Sequence, residues 1–212
     1  MAELSGLRLV ALKCEKCGSL LDADQSDVVY YCNNCDTGYE LINENDDLIP
    51  IDVEFALPEN TRDAEIIYYP FWVFDTDIEI SSRDASGTIG SFGKFIKKKL
   101  GDEGDAKPVE KFYIPAFDTS MENIKKLGLE FTQNQPDYDT IKKDKIRGCI
   151  YSREDAAKIA DFIFLSVEAE RADMLKHISY SLGLSSPKIV GMPFYKTDNS
   201  GLVDGILGIE VR

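Results

Sequence analysis

Cys14-Glu15-Lys16-Cys17 and Cys32-Asn33-Asn34-Cys35 are two Cys-x-x-Cys pairs with 14 residues between Cys17 and Cys32. One such pair alone fits many roles. Two at this separation complete one another, because each pair sits on a tight turn that brings two sulfurs to one point. Together they form the ligand set of a four-thiolate metal site. Gly18, directly after the first pair, supplies a permissive turn backbone.

Outward from the pairs, Leu7 to Lys13 reads as a strand leading into the first knuckle. Asp22 to Asp27 is an acidic, turn-rich tip, and Val28-Val29-Tyr30-Tyr31 is a β-rich strand entering the second knuckle. Tyr39 to Ile42 completes a small sheet. In these features residues 8–42, about a fifth of the chain, resemble a zinc ribbon. The resemblance implies one structural Zn²⁺ per chain on Cys14, Cys17, Cys32 and Cys35, with no open coordination position. A ribbon this small has almost no apolar core, so metal supplies most of its stability, on the order of 10 kcal/mol. Rubredoxin-like iron sites also use two such pairs, typically with a longer insert, and iron is the alternative to zinc. A redox role is less favoured, since each pair accounts for the other.

The polar break Asn43 to Asp47 is the linker candidate. It divides the chain into a ribbon, residues 1–47, and a second unit, residues 48–212. In the second unit Ile66 to Ile80 predicts a long strand with one buried face and a bend or edge at Pro70. Ser86 to Gly93 reads as a flexible passage, Lys94 to Leu100 as a short basic helix or loop, and Gly101 to Pro108 as exposed. Phe112 to Phe117 is a strand. Asp118-Thr119-Ser120 caps a helix from Met121 to Leu127 that stops at Gly128. Residues 132–145 are polar, and Ile146 to Tyr151 reads as a short strand. Ser152 with Asp155 opens a helix from Arg153 to Ala160. Phe162 to Ala169 favours strand, and residues 173–186 fit helix or strand. Lys188 to Tyr195 and Leu202 to Val211 form a hairpin about Asp198 to Gly201. The fold class that follows is α+β: a small N-terminal zinc ribbon plus a mainly antiparallel β domain with two or three helices.

The chain has 212 residues, 43% of them hydrophobic and 10% aromatic, enough for one medium domain with a small appendage. No apolar run approaches bilayer length, so membrane insertion is not expected. The first residues lack the pattern of a signal peptide. Thiols that hold metal stay reduced, and five cysteines argue against a disulfide framework, so the expected compartment is cytoplasmic. The net charge is −14, and residues 1–47 carry half of it, with three Lys/Arg against ten Asp/Glu. Such a surface repels a polyanion, which disfavours nucleic acid as the ribbon's partner.

Three segments share a proline among apolar and aromatic residues: Tyr69-Pro70-Phe71-Trp72, Ile114-Pro115-Ala116-Phe117 and Met192-Pro193-Phe194-Tyr195. Two readings stand. Either strand bends deliver Tyr69, Phe71, Trp72, Phe117, Phe194 and Tyr195 to a pocket or partner groove, or the prolines mark strand edges and the aromatics fill the core; the second is preferred. Lys94, Lys97, Lys98 and Lys99 are candidate contacts for phosphate or an acidic surface, weighed against a merely solubilising patch. His177 is the only histidine and Cys149 lies in an apolar stretch, where a free cysteine behaves as a small hydrophobe. Asp75, Asp77 and Glu79 alternate on one strand face and read as solvated rather than as a cation site. Gly87, Gly90 and Gly93 lack the context of a phosphate loop. No catalytic residue is assigned. The preferred function is a non-enzymatic interaction or scaffold protein, an accessory subunit or adaptor that docks on a protein of basic or mixed surface. The alternative is a nucleic-acid-binding factor using the knuckles and the Lys94–Lys99 and Lys142–Arg147 patches. The second alternative is an enzyme with its site on the aromatic and carboxylate strands.

Overall fold

The computed structural model describes residues 12–21, 23–35, 37–42, 47–60, 62–86, 111–139, 145–169, 174–197 and 201–211. Residues 7–11 of the strand expected from Leu7 to Lys13, the linker residues 43–46, the passage 87–110 with all four of Lys94, Lys97, Lys98 and Lys99, and the hairpin-tip residues 198–200 lie outside the described residues, as do Asp22 and Lys142.

The N-terminal part is a three-stranded antiparallel sheet. Its strands are β1 (Val29–Tyr31), β2 (Gly38–Ile42) and β3 (Asp47–Ile51), in the order β1-β2-β3. The expected boundary at residue 47 falls at the first residue of β3, which pairs with β2 from Ile42↔Asp47 to Gly38↔Ile51. Buried Cys14, Leu21, Tyr30, Cys32 and Tyr39 make up its small core.

The second sheet has seven strands: β4 (Val53–Ala56), β5 (Ile66–Ser86), β6 (Lys111–Pro115), β7 (Tyr138–Asp139), β8 (Met174–Lys196), β9 (Leu202–Asp204) and β10 (Glu210–Val211). β5 and β8 pair antiparallel from Ile66↔Tyr195 to Ser86↔Met174, with register shifts after Val73, Ile80 and Asp84. β6 lies on the far side of β5, and the other edge of β8 carries β9 and, in the one parallel pairing, β4. Alternation explains the two faces. Trp72, Phe74 and Ile78 point to one core with Phe112 and Ile114, while Phe71 and Val73 point to the other with Val190, Met192 and Phe194. The chain is thus α+β with mostly antiparallel sheets and a small cysteine-rich N-terminal part.

Two helices are described, and both are longer than expected. α1 (Met121–Gln133) starts with the Asn123 N–H on Ser120 Oγ at 3.2 Å, as the capping pattern implies. It does not stop at Gly128. That glycine lies where the helix meets β6, and a Cβ there would sit 3.0 Å from the Tyr113 carbonyl oxygen and 2.9 Å from Ile163 Cδ1. Close packing, and not termination, is its role. α2 (Arg153–Ala169) opens on the expected box, with the Asp155 N–H on Ser152 Oγ at 3.1 Å and that hydroxyl donating to Asp155 Oδ2 at 2.8 Å. It continues through the segment expected as strand from Phe162 to Ala169. Ala156, Ala160, Ile163 and Phe164 recur at helical spacing and are buried against the sheet, which outweighs the local β preference. The strand expected from Ile146 to Tyr151 is reduced to isolated bridges, Val29↔Cys149 and Tyr68↔Ile146. The ambiguous stretch 173–186 is strand from Met174 onward.

The two sheets meet along a seam. Tyr31 packs edge-on to Phe55 with ring centres 6.2 Å apart, and Phe55 in turn meets Tyr68 at 5.3 Å. The Val28 N–H donates to the Cys149 carbonyl at 2.8 Å. Glu40 of β2 is fully buried, and its carboxylate accepts the first N–H of α2, Arg153, at 2.8 Å together with the guanidinium Nε of the same residue. The Arg153 side chain keeps about a third of its surface in water (35%). Removing Arg153 therefore strands a buried charge, whereas removing Glu40 leaves a guanidinium that still reaches solvent. Arg153→Ala is expected to cost about 3 kcal/mol and Glu40→Ala distinctly less. Urea unfolding of both variants checks the order; an equal or reversed order counts against the latch.

Candidate metal centre

Each half of the centre is shaped by its own backbone turn. In the first knuckle the Gly18 N–H donates to the Cys14 carbonyl at 2.8 Å and the Cys14 N–H to Ser19 O at 2.9 Å, with Gly18 at φ +74°. That left-handed conformation favours glycine. In the second knuckle the Cys32 N–H donates to Thr37 O at 2.9 Å. These turns bring Cys14, Cys17, Cys32 and Cys35 together with all four sulfurs within 4.8 Å of one another. Cys14 and Cys35 are 3.3 Å apart at Sγ, and Cys17 and Cys32 are 3.5 Å apart. Both gaps exceed a disulfide bond of about 2.05 Å. They approach the edge of roughly 3.8 Å that four metal–sulfur bonds of about 2.3 Å impose on a tetrahedron. The donor set fits a thiolate-bound ion: the four cysteines can hold a metal.

The environment differs from sulfur to sulfur. Cys14 and Cys32 are buried, Cys35 is half-buried and Cys17 is exposed. Hydrogen bonds from the Ser19 hydroxyl and the Asn34 side chain pull the Cys17 thiol down to about 5. At Cys14 burial opposes ionisation, but hydrogen bonds from Tyr39 and Cys35 outweigh it and hold the thiol below its ordinary value. Burial pushes the Cys32 thiol up to about 11. The Tyr39 hydroxyl, 3.2 Å from Cys14 Sγ, belongs to the centre although the cysteine pattern alone does not point to it. Thr37 Oγ1 stands 3.4 Å from Cys35 Sγ in the same way.

The other sequence candidates are dispersed. Phe71, Trp72, Phe117, Phe194 and Tyr195 are buried, so they are core and not a contact surface. Tyr69, Phe71, Phe117 and Phe194 form one aromatic cluster, with centres 4.6 Å apart for Tyr69–Phe117 and 5.5 Å for Tyr69–Phe194. Tyr69 alone of the six is only half-buried. Trp72, on the opposite face, donates Nε1 to Tyr151 O at 2.7 Å. Asp75, Asp77 and Glu79 are exposed along the outer face of β5. The backbone of His177 in β8 stands in register with that of Asp84 in β5, whereas Cys149 lies at the seam. Cys149 donates to Tyr151 O at 3.6 Å, and burial drives its thiol far above the usual range, the opposite of an activated nucleophile.

Sequence reasoning missed a cleft, partly open to solvent and with a cavity volume of about 50 Å³, between the N-terminal sheet and the body. Asp27 and Tyr31 stand on one wall, and Ile146, Gly148 and Cys149 on the other. Among the described residues no helix is long and apolar enough to cross a membrane. No protein-family model, curated protein or solved structure matches this chain.

Coordination requires all four thiols to lose their protons, so metal affinity falls as pH falls. With Cys17 already ionised at neutral pH and Cys32 still protonated, metal binding at pH 7 is expected to release at least one proton and fewer than four. Calorimetry in buffers of different ionisation enthalpy measures this number; none or four contradicts the unequal environments.

Proposed function

We propose that Cys14, Cys17, Cys32 and Cys35 bind one structural Zn²⁺ in a zinc ribbon, and that the ribbon is the docking module of a non-enzymatic interaction protein. The donor set supports zinc: four sulfurs converge at a separation suited to a tetrahedron, and four protein thiolates leave no position for a catalytic water.

The observation that carries the docking reading is Leu20. It follows the first knuckle directly, is held in a bridge to Lys13, and is 77% exposed, the largest exposure among the described large hydrophobic side chains that face solvent. A leucine held out after the first knuckle, four residues before exposed Asp24, suits a partner protein with an apolar pocket in a basic surface. The acidic balance of residues 1–47 works against DNA or RNA at the same place. Lys145 and Arg147, described members of one basic patch, line the seam cleft with Asp24 and Asp27. That placement gives them acidic neighbours and weakens the nucleic-acid alternative. The enzyme alternative gains a cleft but no activated nucleophile at Cys149.

The test compares the full-length protein with its Leu20→Glu variant after purification at low salt. Both are expected to carry one zinc per chain, and a protein that co-purifies with the first, and dissociates as salt rises, is lost from the second. Iron in place of zinc overturns the metal assignment. Partners retained by Leu20→Glu, or tight, salt-sensitive binding of mixed DNA or RNA by the unmodified protein, overturn the docking assignment.

A further inference from the structure

The four sulfurs of the centre differ in what can hydrogen-bond to them. Cys17 is exposed, so water reaches its sulfur, whereas Cys14 is 1% exposed and must find its donor inside the protein. That donor comes from the sheet. Tyr39 lies in the middle of β2, in register with Tyr30 of β1 and Pro50 of β3, and is buried to the same degree as Cys14. Its hydroxyl stands 3.2 Å from Cys14 Sγ and accepts the Lys16 N–H at 3.4 Å. One side chain of the central strand thus touches the first knuckle at two points.

Packing alone does not require that hydroxyl. In the small core with Leu21, Tyr30 and Cys32 a phenylalanine ring would bury the same carbon surface, while a buried phenol O–H costs free energy unless it is bonded. The direction of the bond follows from the chemistry of coordination. A metal-bound sulfur has lost its proton, and the oxygen already accepts the Lys16 N–H, so the phenol proton goes to Cys14. A bond to a charged sulfur is of the strong, charge-assisted kind. It also drains charge from a centre in which four thiolates outweigh one divalent ion. Thr37 is less committed: its Oγ1 lies 3.4 Å from Cys35 Sγ and equally 3.4 Å from the Cys35 carbonyl oxygen, so sulfur is not its only acceptor. We propose that Tyr39 is the positioning residue of the metal centre, donating its hydroxyl proton to the metal-bound Cys14 thiolate and so fixing that sulfur and raising affinity for the ion. This rests on reading the four cysteines as a zinc site. Partners of this kind, one bond beyond the ligands, are worth about ten- to a hundredfold in metal affinity.

The experiment compares the full-length protein with its Tyr39→Phe and Tyr30→Phe variants. Tyr30→Phe removes a hydroxyl from the same core, on the facing strand, and controls for packing. Competition with a chromophoric chelator gives the Zn²⁺ affinity, and the Co²⁺-loaded proteins give the energy of the sulfur-to-metal charge-transfer absorption. Tyr39→Phe is expected to bind Zn²⁺ about tenfold more weakly or worse. Its charge-transfer band is expected to move to lower energy, because a thiolate without its hydrogen bond gives up an electron more readily. Tyr30→Phe is expected to leave both readings as they are. An unmoved band in Tyr39→Phe, an unchanged affinity, or an equal loss in Tyr30→Phe overturns the proposal. An unmodified protein that takes up neither Zn²⁺ nor Co²⁺ overturns the zinc reading beneath it, and shows this before any variant is made.

Discussion

The convergence of four thiol sulfurs to within 4.8 Å constrains the whole N-terminal half of the seam. Left to themselves the sulfurs repel once ionised, and the three-stranded sheet around them encloses few apolar side chains. A bound ion reverses the sign of that interaction and fixes both knuckles at once. The consequence travels along β1 and β2. With the knuckles fixed, Val28 reaches the Cys149 carbonyl, Tyr31 stands against Phe55, and Glu40 is buried at the start of α2. A bound ion would in this way set the position of the seam and of the cleft, which Asn33 of the second knuckle lines.

The body is held by different forces. β5 and β8 run beside one another for about twenty residues each, and both faces of their inner halves are covered by helices and short strands. Hydrophobic burial around Trp72 and around Phe71 supplies the two cores. Polar groups inside it are satisfied locally. Fully buried Asp204 accepts the backbone N–H groups of Ile206 at 2.9 Å and Leu207 at 2.6 Å, and that of Ile209, closing the turn between β9 and β10. Ile51 of β3 joins the core around Trp72, so the N-terminal sheet supplies part of its wall.

What the sequence made legible follows from the range of each interaction. The cysteine ligand set was readable because metal geometry is encoded within a few residues of each knuckle. β5 was readable because the apolar run from Ile66 to Phe74 passes into exposed Asp75, Asp77 and Glu79 around buried Ile78. The ends of the helices were not, because Gly128 is a contact with β6 and Phe162 to Ala169 takes its helical form from packing on β8. The aromatics of the three proline segments were legible as core but not as one cluster, since β5, β8 and the segment after β6 supply the members. The cleft was out of reach altogether. Its walls lie more than a hundred residues apart in the chain, and nothing near Asp27 announces Gly148.

The claim that the centre organises the seam is tested most directly by counting reactive thiols in the native, full-length protein before and after a chelator removes the metal, with the modified cysteines located by mass spectrometry. With metal bound, the account predicts that Cys149 and the four ligands are all protected. After chelation it predicts that Cys14, Cys17, Cys32 and Cys35 react and that Cys149 follows them, because the strand bridged to it at Val29 is no longer held in place. Reaction of the four ligands with Cys149 still fully protected would contradict the account, and would mean that the seam stands without the metal centre.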